Sequence, residues 1–136
     1  MALEPGLAAA FRYTVAPADT AEAVGSGQVP VLATPQVVAL AERATVAALD
    51  RALEAGTTTV GTRIELNHLA PSPVGADLEV EAVLERVAGR RLQFAVRLAD
   101  GDRLVASGLI TRVVVNTVAF LRDAGINVGP EGEFRV

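Results

Sequence analysis

After Thr34-Pro35 the chain runs through residues 36–55 without a glycine or a second proline, and Gly56 closes the stretch. Threonine suits a helix N-cap, proline the first helical position, and glycine the residue past the end. The spacing predicts one long helix. Alanine, leucine and valine dominate it, with Glu42, Arg43, Asp50, Arg51 and Glu54 as its charges. A helix this apolar is expected to be wrapped by other structure rather than laid on a surface.

The rest of the chain is organised around that helix by strands. Residues 8–15 alternate, with Phe11 and Tyr13 on one face and Arg12 on the other, and Pro17 ends them. Residues 18–30 hold Gly25, Gly27 and Pro30 and read as a helical turn followed by a loop. Past Gly56 the period falls from about 3.6 to about 2. Strands are expected over 57–69, over 76–87, where Glu79, Glu81 and Glu85 alternate with Val80, Ala82 and Leu84, and over 91–99 with Leu92, Phe94, Val96 and Leu98 on one face. Gly89-Arg90 marks one turn, and Asp100-Gly101 is a two-residue hairpin signal. A last long strand spans 103–115, and Asn116 caps a terminal helix that Gly125 stops. The order is one strand, one long helix, then four strands expected as an antiparallel meander that buries its apolar face on the helix. The last strand has apolar residues on both faces, with Leu104, Ala106 and Ile110 opposed to Val105, Leu109, Val113 and Val115. A half-wet strand would alternate, so a second subunit is expected to cover part of it.

Composition narrows the function classes. The 136 residues are 51% hydrophobic and 21% charged, enough for the core of one domain, residues 1–136. A formal net charge of −4 and an aromatic share of 4% argue against nucleic acid as a partner, which calls for a basic stripe or stacking platforms. No run approaches the roughly 20 apolar residues of a membrane helix, so no membrane partner is expected. Residues 1–12 lack a basic start and make a poor signal peptide, which points to the cytoplasm. With one histidine and no cysteine, the usual zinc set cannot be assembled and no metal is expected.

The layout resembles the hotdog fold, in which a curved antiparallel sheet of about five strands wraps a long central helix and dimers share active sites at their interface. More closely, the chain is similar to the fluoroacetyl-CoA thioesterase-like branch of that α+β fold. The resemblance runs from about residue 13 to residue 120. It is carried by Val31-Leu32-Ala33-Thr34 through Glu42, by Val60-Gly61-Thr62 through Asn67-His68-Leu69-Ala70-Pro71-Ser72-Pro73-Val74-Gly75, and by Gly89-Arg90-Arg91-Leu92 with Gly108 to Arg112. It implies a homodimeric or larger thioester hydrolase acting on a short- or medium-chain acyl-CoA, with no cofactor beyond the coenzyme A of the substrate. The alternative on the same fold is a non-catalytic acyl-CoA or small-ligand binding protein; a hydratase or dehydratase ranks lower, because the Asp–His arrangement of those enzymes is not evident. The resemblance places catalytic roles on Thr34, Glu42 and His68 and substrate-binding roles on Gly61 and Arg112. Gly25 and Gln28 stand where the fluoroacetyl-specific member has an aromatic lid, so fluorine selectivity is not implied. Pro35 stands where a glycine often follows the threonine, and the histidine many relatives carry near Ile110 is missing.

Each residue also has a structural reading. His68, flanked by Leu66 and Leu69 near a strand end, is either a hydrogen-bonded structural residue or the side chain best suited to move a proton near neutrality. Glu42, among Val38, Ala39, Leu40 and Ala41, is either paired with Arg43 or another arginine, or a partly desolvated carboxylate able to act as a base. Thr34 is a cap, a catalytic hydroxyl or both. Gly61 marks a bulge or a close approach of helix and sheet, where the family uses such a glycine to receive the thioester carbonyl. Arg112 shares a face with Ile110 and Val114 and needs an anionic partner, either Glu42, Glu65 or a ligand. Arg90 and Arg91 are either a solvated turn or a clamp for the phosphates of coenzyme A. Thr34 and Glu42 lie roughly 12 Å apart along a straight helix at 1.5 Å per residue. Either the helix starts later, or the pair is completed across a two-fold axis.

Overall fold

The computed structural model describes residues 3–136. Strand β1 (Ala8–Thr14) leads through a 3-10 turn (Pro17–Asp19) and a short helix α1 (Ala21–Val24) to the long helix α2 (Thr34–Ala48). Strands β2 (Thr57–His68), β3 (Asp77–Ala88), β4 (Arg91–Asp100) and β5 (Arg103–Asn116) follow. Helix α3 (Thr117–Asp123), with the Asn116 side chain accepting from the Ala119 amide, and a small ribbon of β6 (Asn127–Val128) and β7 (Phe134–Arg135) end the chain.

The five long strands form one antiparallel sheet in the order β1-β3-β4-β5-β2. Only β3-β4-β5 is a meander, which corrects the expected four-strand version. β2 and β3 are joined by residues 69–76, with Pro71, Ser72 and Pro73 among them, and that connection is too long for a tight hairpin. It crosses to the far side of the sheet instead, and β2 takes an edge beside β5.

Helix α2 packs against all five strands. The outer strands of a flat five-stranded sheet stand roughly 19 Å apart at 4.8 Å spacing, while a helix is about 10 Å across, so this contact requires the sheet to curl. Val37, Leu40, Ala41, Ala44, Thr45 and Ala48 face the sheet and are buried. They meet Leu78, Val80, Ala82 and Leu84 of β3 and Leu92, Phe94, Val96 and Leu98 of β4 in one core. The opposite side of α2 is open in the single chain, and Val46 is 53% exposed there. The helix is wrapped on one side only.

Three boundaries differ from expectation for local reasons. α2 ends at Ala48, well before Gly56, because the chain folds back to bury Leu49 and Ala52, with Arg51 in the left-handed region at φ 67°. The hairpin between β4 and β5 pairs Asp100 with Arg103, so its loop is Gly101-Asp102. At the Ala99/Leu104 end the register shifts by one residue, which buries Val105 beside Ala106 and leaves Leu104 exposed rather than in line with Ile110.

Candidate functional site

Two clusters form on the side of the molecule where α2 meets β2 and β5. The first joins Thr34 to His68. Thr34 is the first residue of α2, not its cap; the cap position belongs to Ala33, and no side chain caps the helix there. The Thr34 hydroxyl is used elsewhere, with Oγ1 lying 2.8 Å from His68 Nδ1 at the end of β2. The chain enforces this contact. Leu32 donates to the Ser72 carbonyl at 2.8 Å, and Val31 bridges Pro73, so the segment entering α2 is strapped to the segment leaving β2. His68 Nε2 is buried with no protein partner. Beside it a hollow of about 200 Å³ is lined by Val31, His68, Leu69, Ala70 and Pro71. Thr34 itself is exposed.

The second cluster joins Glu42, Gly61 and Arg112. Arg112 points inward from β5 and is buried. Its Nη1 donates to Glu42 Oε2 at 3.0 Å, its Nε to Thr59 Oγ1 at 2.9 Å and its Nη2 to the Thr59 carbonyl at 3.0 Å. Burial weakens the hold of this guanidinium on its proton, and the Glu42 carboxylate opposes that. Glu65, the other possible partner, pairs with Arg63 at 2.5 Å. Arg43 does not pair with Glu42 either; its guanidinium lies 4.5 Å from the centre of the Phe11 ring. Gly61 pairs with Arg112 across the strands, and a Cβ there would overlap the Glu42 carboxylate and stand 3.4 Å from Arg112 Nη1. Both structural readings of this glycine hold, because the register of β2 also shifts between Gly61 and Arg63. The glycine makes room for the Glu42 carboxylate of this ion pair at the sheet edge.

A single chain therefore brings Thr34 to His68 and Glu42 to Gly61 and Arg112. The helix starts no later than Thr34, so the separation of Thr34 from Glu42 along α2 stands. Among the described residues no three histidine, cysteine, aspartate or glutamate side chains gather as a metal site, and no helix is long and apolar enough to cross a membrane.

Two contributions escaped the sequence reading. Thr59 supplies two of the three acceptors of Arg112; its signal was a polar β-branched residue two places before Gly61 on the same strand. Asp19 is buried, accepting from the Tyr13 hydroxyl at 2.6 Å, the Ala16 amide at 2.8 Å and Gln36 Nε2 at 3.1 Å. Desolvation pushes the Asp19 carboxyl up, but these three hydrogen bonds outweigh it and hold the group below its usual range. Its carbonyl also accepts from Ala33 at 2.9 Å, so Asp19 fixes both sides of Thr34.

A family model of fluoroacetyl-CoA-specific thioesterases matches residues 15–118. The fluoroacetyl-CoA thioesterase of Streptantibioticus cattleyicolor is 39% identical over 90 residues, 66% of this chain and 65% of that enzyme. The match thus spans just under two thirds of the curated relative's length. A structure of the fluoroacetyl-CoA thioesterase FlK matches with a TM-score of 0.85 at 30% identity, covering 92% of this chain and 97% of FlK. A phenylalanine-to-alanine variant of FlK, in complex with fluoroacetate and CoA, matches at 0.80 and 32% identity over 87% and 99% of the two chains. A hot-dog-like protein from Thermanaerovibrio acidaminovorans matches at 0.81 and 27% identity over 89% and 90%. The hotdog fold expected from the sequence is the fold of this chain.

Proposed function

The chain belongs to the fluoroacetyl-CoA-specific thioesterase family, and we propose that it hydrolyses a short- or medium-chain acyl-CoA to the free acid and coenzyme A. The observation that carries this reading is the contact of Thr34 Oγ1 with His68 Nδ1, a hydroxyl and an imidazole joined across 34 residues of sequence. The thioester carbonyl is received by the backbone N–H of Gly61 or of Thr34, where charge develops as the carbon becomes tetrahedral; Pro35 has no N–H, and Gln36 and Val37 donate to the Ala33 carbonyl. His68 takes the proton of the attacking group, either water or the Thr34 hydroxyl. The C–S bond then breaks, and the proton passes to the leaving thiolate of coenzyme A. Glu42, held by Arg112, orients the attacking group or accepts its proton. If Thr34 attacks, the acyl-threonine formed is cleaved by water in a second step.

The two clusters act together across a dimer. Thr34 and His68 of one subunit face Glu42, Gly61 and Arg112 of the other, which resolves their separation along α2. The open side of α2 and the exposed edge of β2 are the surfaces that such a partner covers. An isolated subunit is therefore expected to be inactive. Gly25 and Gln28 stand where the fluoroacetyl-specific relative has an aromatic lid, so selectivity for the fluorinated acyl group is not expected.

The test is thiol release from a panel of acyl-CoA esters, wild type beside His68→Ala and Glu42→Ala. Turnover of at least one ester, reduced by about 10²–10⁴ in both variants with the fold intact, is the expected result. Binding of esters without any turnover assigns the chain to the non-catalytic alternative. Acyl-threonine recovered at Thr34 from a quenched reaction identifies the hydroxyl as the nucleophile; turnover without it assigns the attack to water.

A further inference from the structure

The face of the sheet turned away from α2 carries a second feature. One row of residues crosses four strands there: Arg63 on β2 lies opposite Thr111 on β5, Thr111 opposite Gln93 on β4, and Gln93 opposite Arg86 on β3. With Arg91 from the adjoining row, these side chains line a hollow of about 220 Å³ that no carboxylate enters. A second hollow, of about 330 Å³, adjoins it through Arg91 and adds Arg90.

Two β-bulges build this row. On β2, Gly61 faces α2, and simple alternation would turn residue 63 to the same side. The register shift between Gly61 and Arg63 places Arg63 opposite outward Thr111 instead. On β3, Leu84 faces the core opposite Phe94, and the shift between Leu84 and Arg86 places Arg86 opposite outward Gln93. Each bulge thus turns one arginine away from the helix and into the same hollow, a known use of bulges beside functional sites. Arg63 pairs with Glu65, whereas Arg86 and Arg91 make no ion pair or side-chain hydrogen bond among the described residues. Arg86 and Arg91, which have no counter-charge of their own, repel one another in a chain whose net charge is −4. Their planar forks match the oxygens of a phosphoryl group bidentately.

We propose that this hollow binds a phosphoryl group, supplied by the nucleotide end of a coenzyme A thioester or by a free phosphorylated ligand. The first source rests on the thioester-hydrolase reading. Arg63 stands two residues from Gly61 on β2, on the face of the sheet opposite the Glu42 cluster.

The experiment uses ADP as probe, by isothermal titration calorimetry. It compares wild type with Arg86→Gln/Arg91→Gln and with Arg103→Gln/Arg122→Gln, which removes two charges elsewhere. Saturable binding that falls at least about tenfold in the first variant and less than about twofold in the second is expected for charge-assisted contacts. No binding to wild type, or equal loss in both variants, overturns the proposal, and neither outcome depends on turnover. Steady-state kinetics on an acyl-CoA and on the matching acyl-pantetheine then separate the sources. A KM raised about tenfold for the CoA ester alone, with kcat unchanged, assigns the nucleotide of the substrate. Unchanged kinetics with lost ADP binding assign a free ligand.

Discussion

Gly61→Ala separates the chemistry of this site from its stability. The added methyl overlaps the Glu42 carboxylate, which must swing away from Arg112. That movement is open to it, because the Glu42 side chain is 36% exposed whereas that of Arg112 is 8% exposed. Removing one partner of a fully buried ion pair costs about 3–5 kcal/mol. Here the departing carboxylate reaches water and Arg112 keeps both Thr59 bonds, so a loss of only about 1–2 kcal/mol is expected. Activity suffers more, since displacing a positioned carboxylate by about 1 Å costs about 10²-fold, or about 2.7 kcal/mol of barrier. Gly108→Ala is the counterpart. Its methyl would overlap the Glu65 carbonyl and stand 2.7 Å from the Leu66 Cα, and backbone cannot rotate aside. It is expected to cost about 3 kcal/mol or more through forced displacement of β2. Urea unfolding and kcat/KM, measured on both variants, check this. Near-wild-type kcat/KM in Gly61→Ala, or a Gly61→Ala protein less stable than Gly108→Ala, refutes the reasoning.

Thr59→Val keeps the shape of the side chain but removes the acceptor of Arg112 Nε, leaving a buried donor unpaired; a loss of about 1–3 kcal/mol by urea unfolding is expected, with lowered kcat/KM. Asp19 is held below the usual carboxylate range, so its contribution is complete above about pH 4 and is lost as pH falls through its lower folded value. Asp19→Asn is expected to flatten that acid limb in unfolding measured against pH, and an unchanged limb counts against the network. Tyr13 is raised by its hydrogen bond to Asp19 and then by desolvation, so stability holds to about pH 10 and falls as pH rises through the higher folded value. Tyr13→Phe removes that alkaline limb.

How much of this could be read beforehand follows from the range of each signal. The alternation of Val80, Ala82 and Leu84 and the Leu92-to-Leu98 face are local periodicities, and each became the buried face expected of it; the helix is as local a signal, but only its sheet-facing side is buried and it ends at Ala48. The partner of β2 is a long-range choice, and nothing within 57–69 says that it lies beside β5 rather than β3. Gly61 marked the bulge on β2, but those after Leu84 and at Leu98/Ala99 carry no composition mark, and Leu104 was assigned to the wrong face for that reason. At the site, family spacing picked out Thr34, His68, Glu42, Gly61 and Arg112. It could not tell which would touch, because the Thr34–His68 contact depends on the strap of Leu32 on Ser72. Thr59 and Asp19 stayed hidden because a buried threonine or aspartate is distinguished only by the partners that folding brings to it.

The central claim is that Thr34 and His68 of one subunit work with Glu42 and Arg112 of another, and subunit complementation tests it directly. Subunits carrying His68→Ala and Glu42→Gln, differently tagged, are co-expressed, and the mixed dimer is purified and assayed for thiol release. A two-fold dimer with the defects on different chains has one intact site and one doubly defective site, so about half of wild-type turnover is expected where each parent homodimer is inactive. A mixed dimer as inactive as its parents places all the catalytic groups within one chain and contradicts the account.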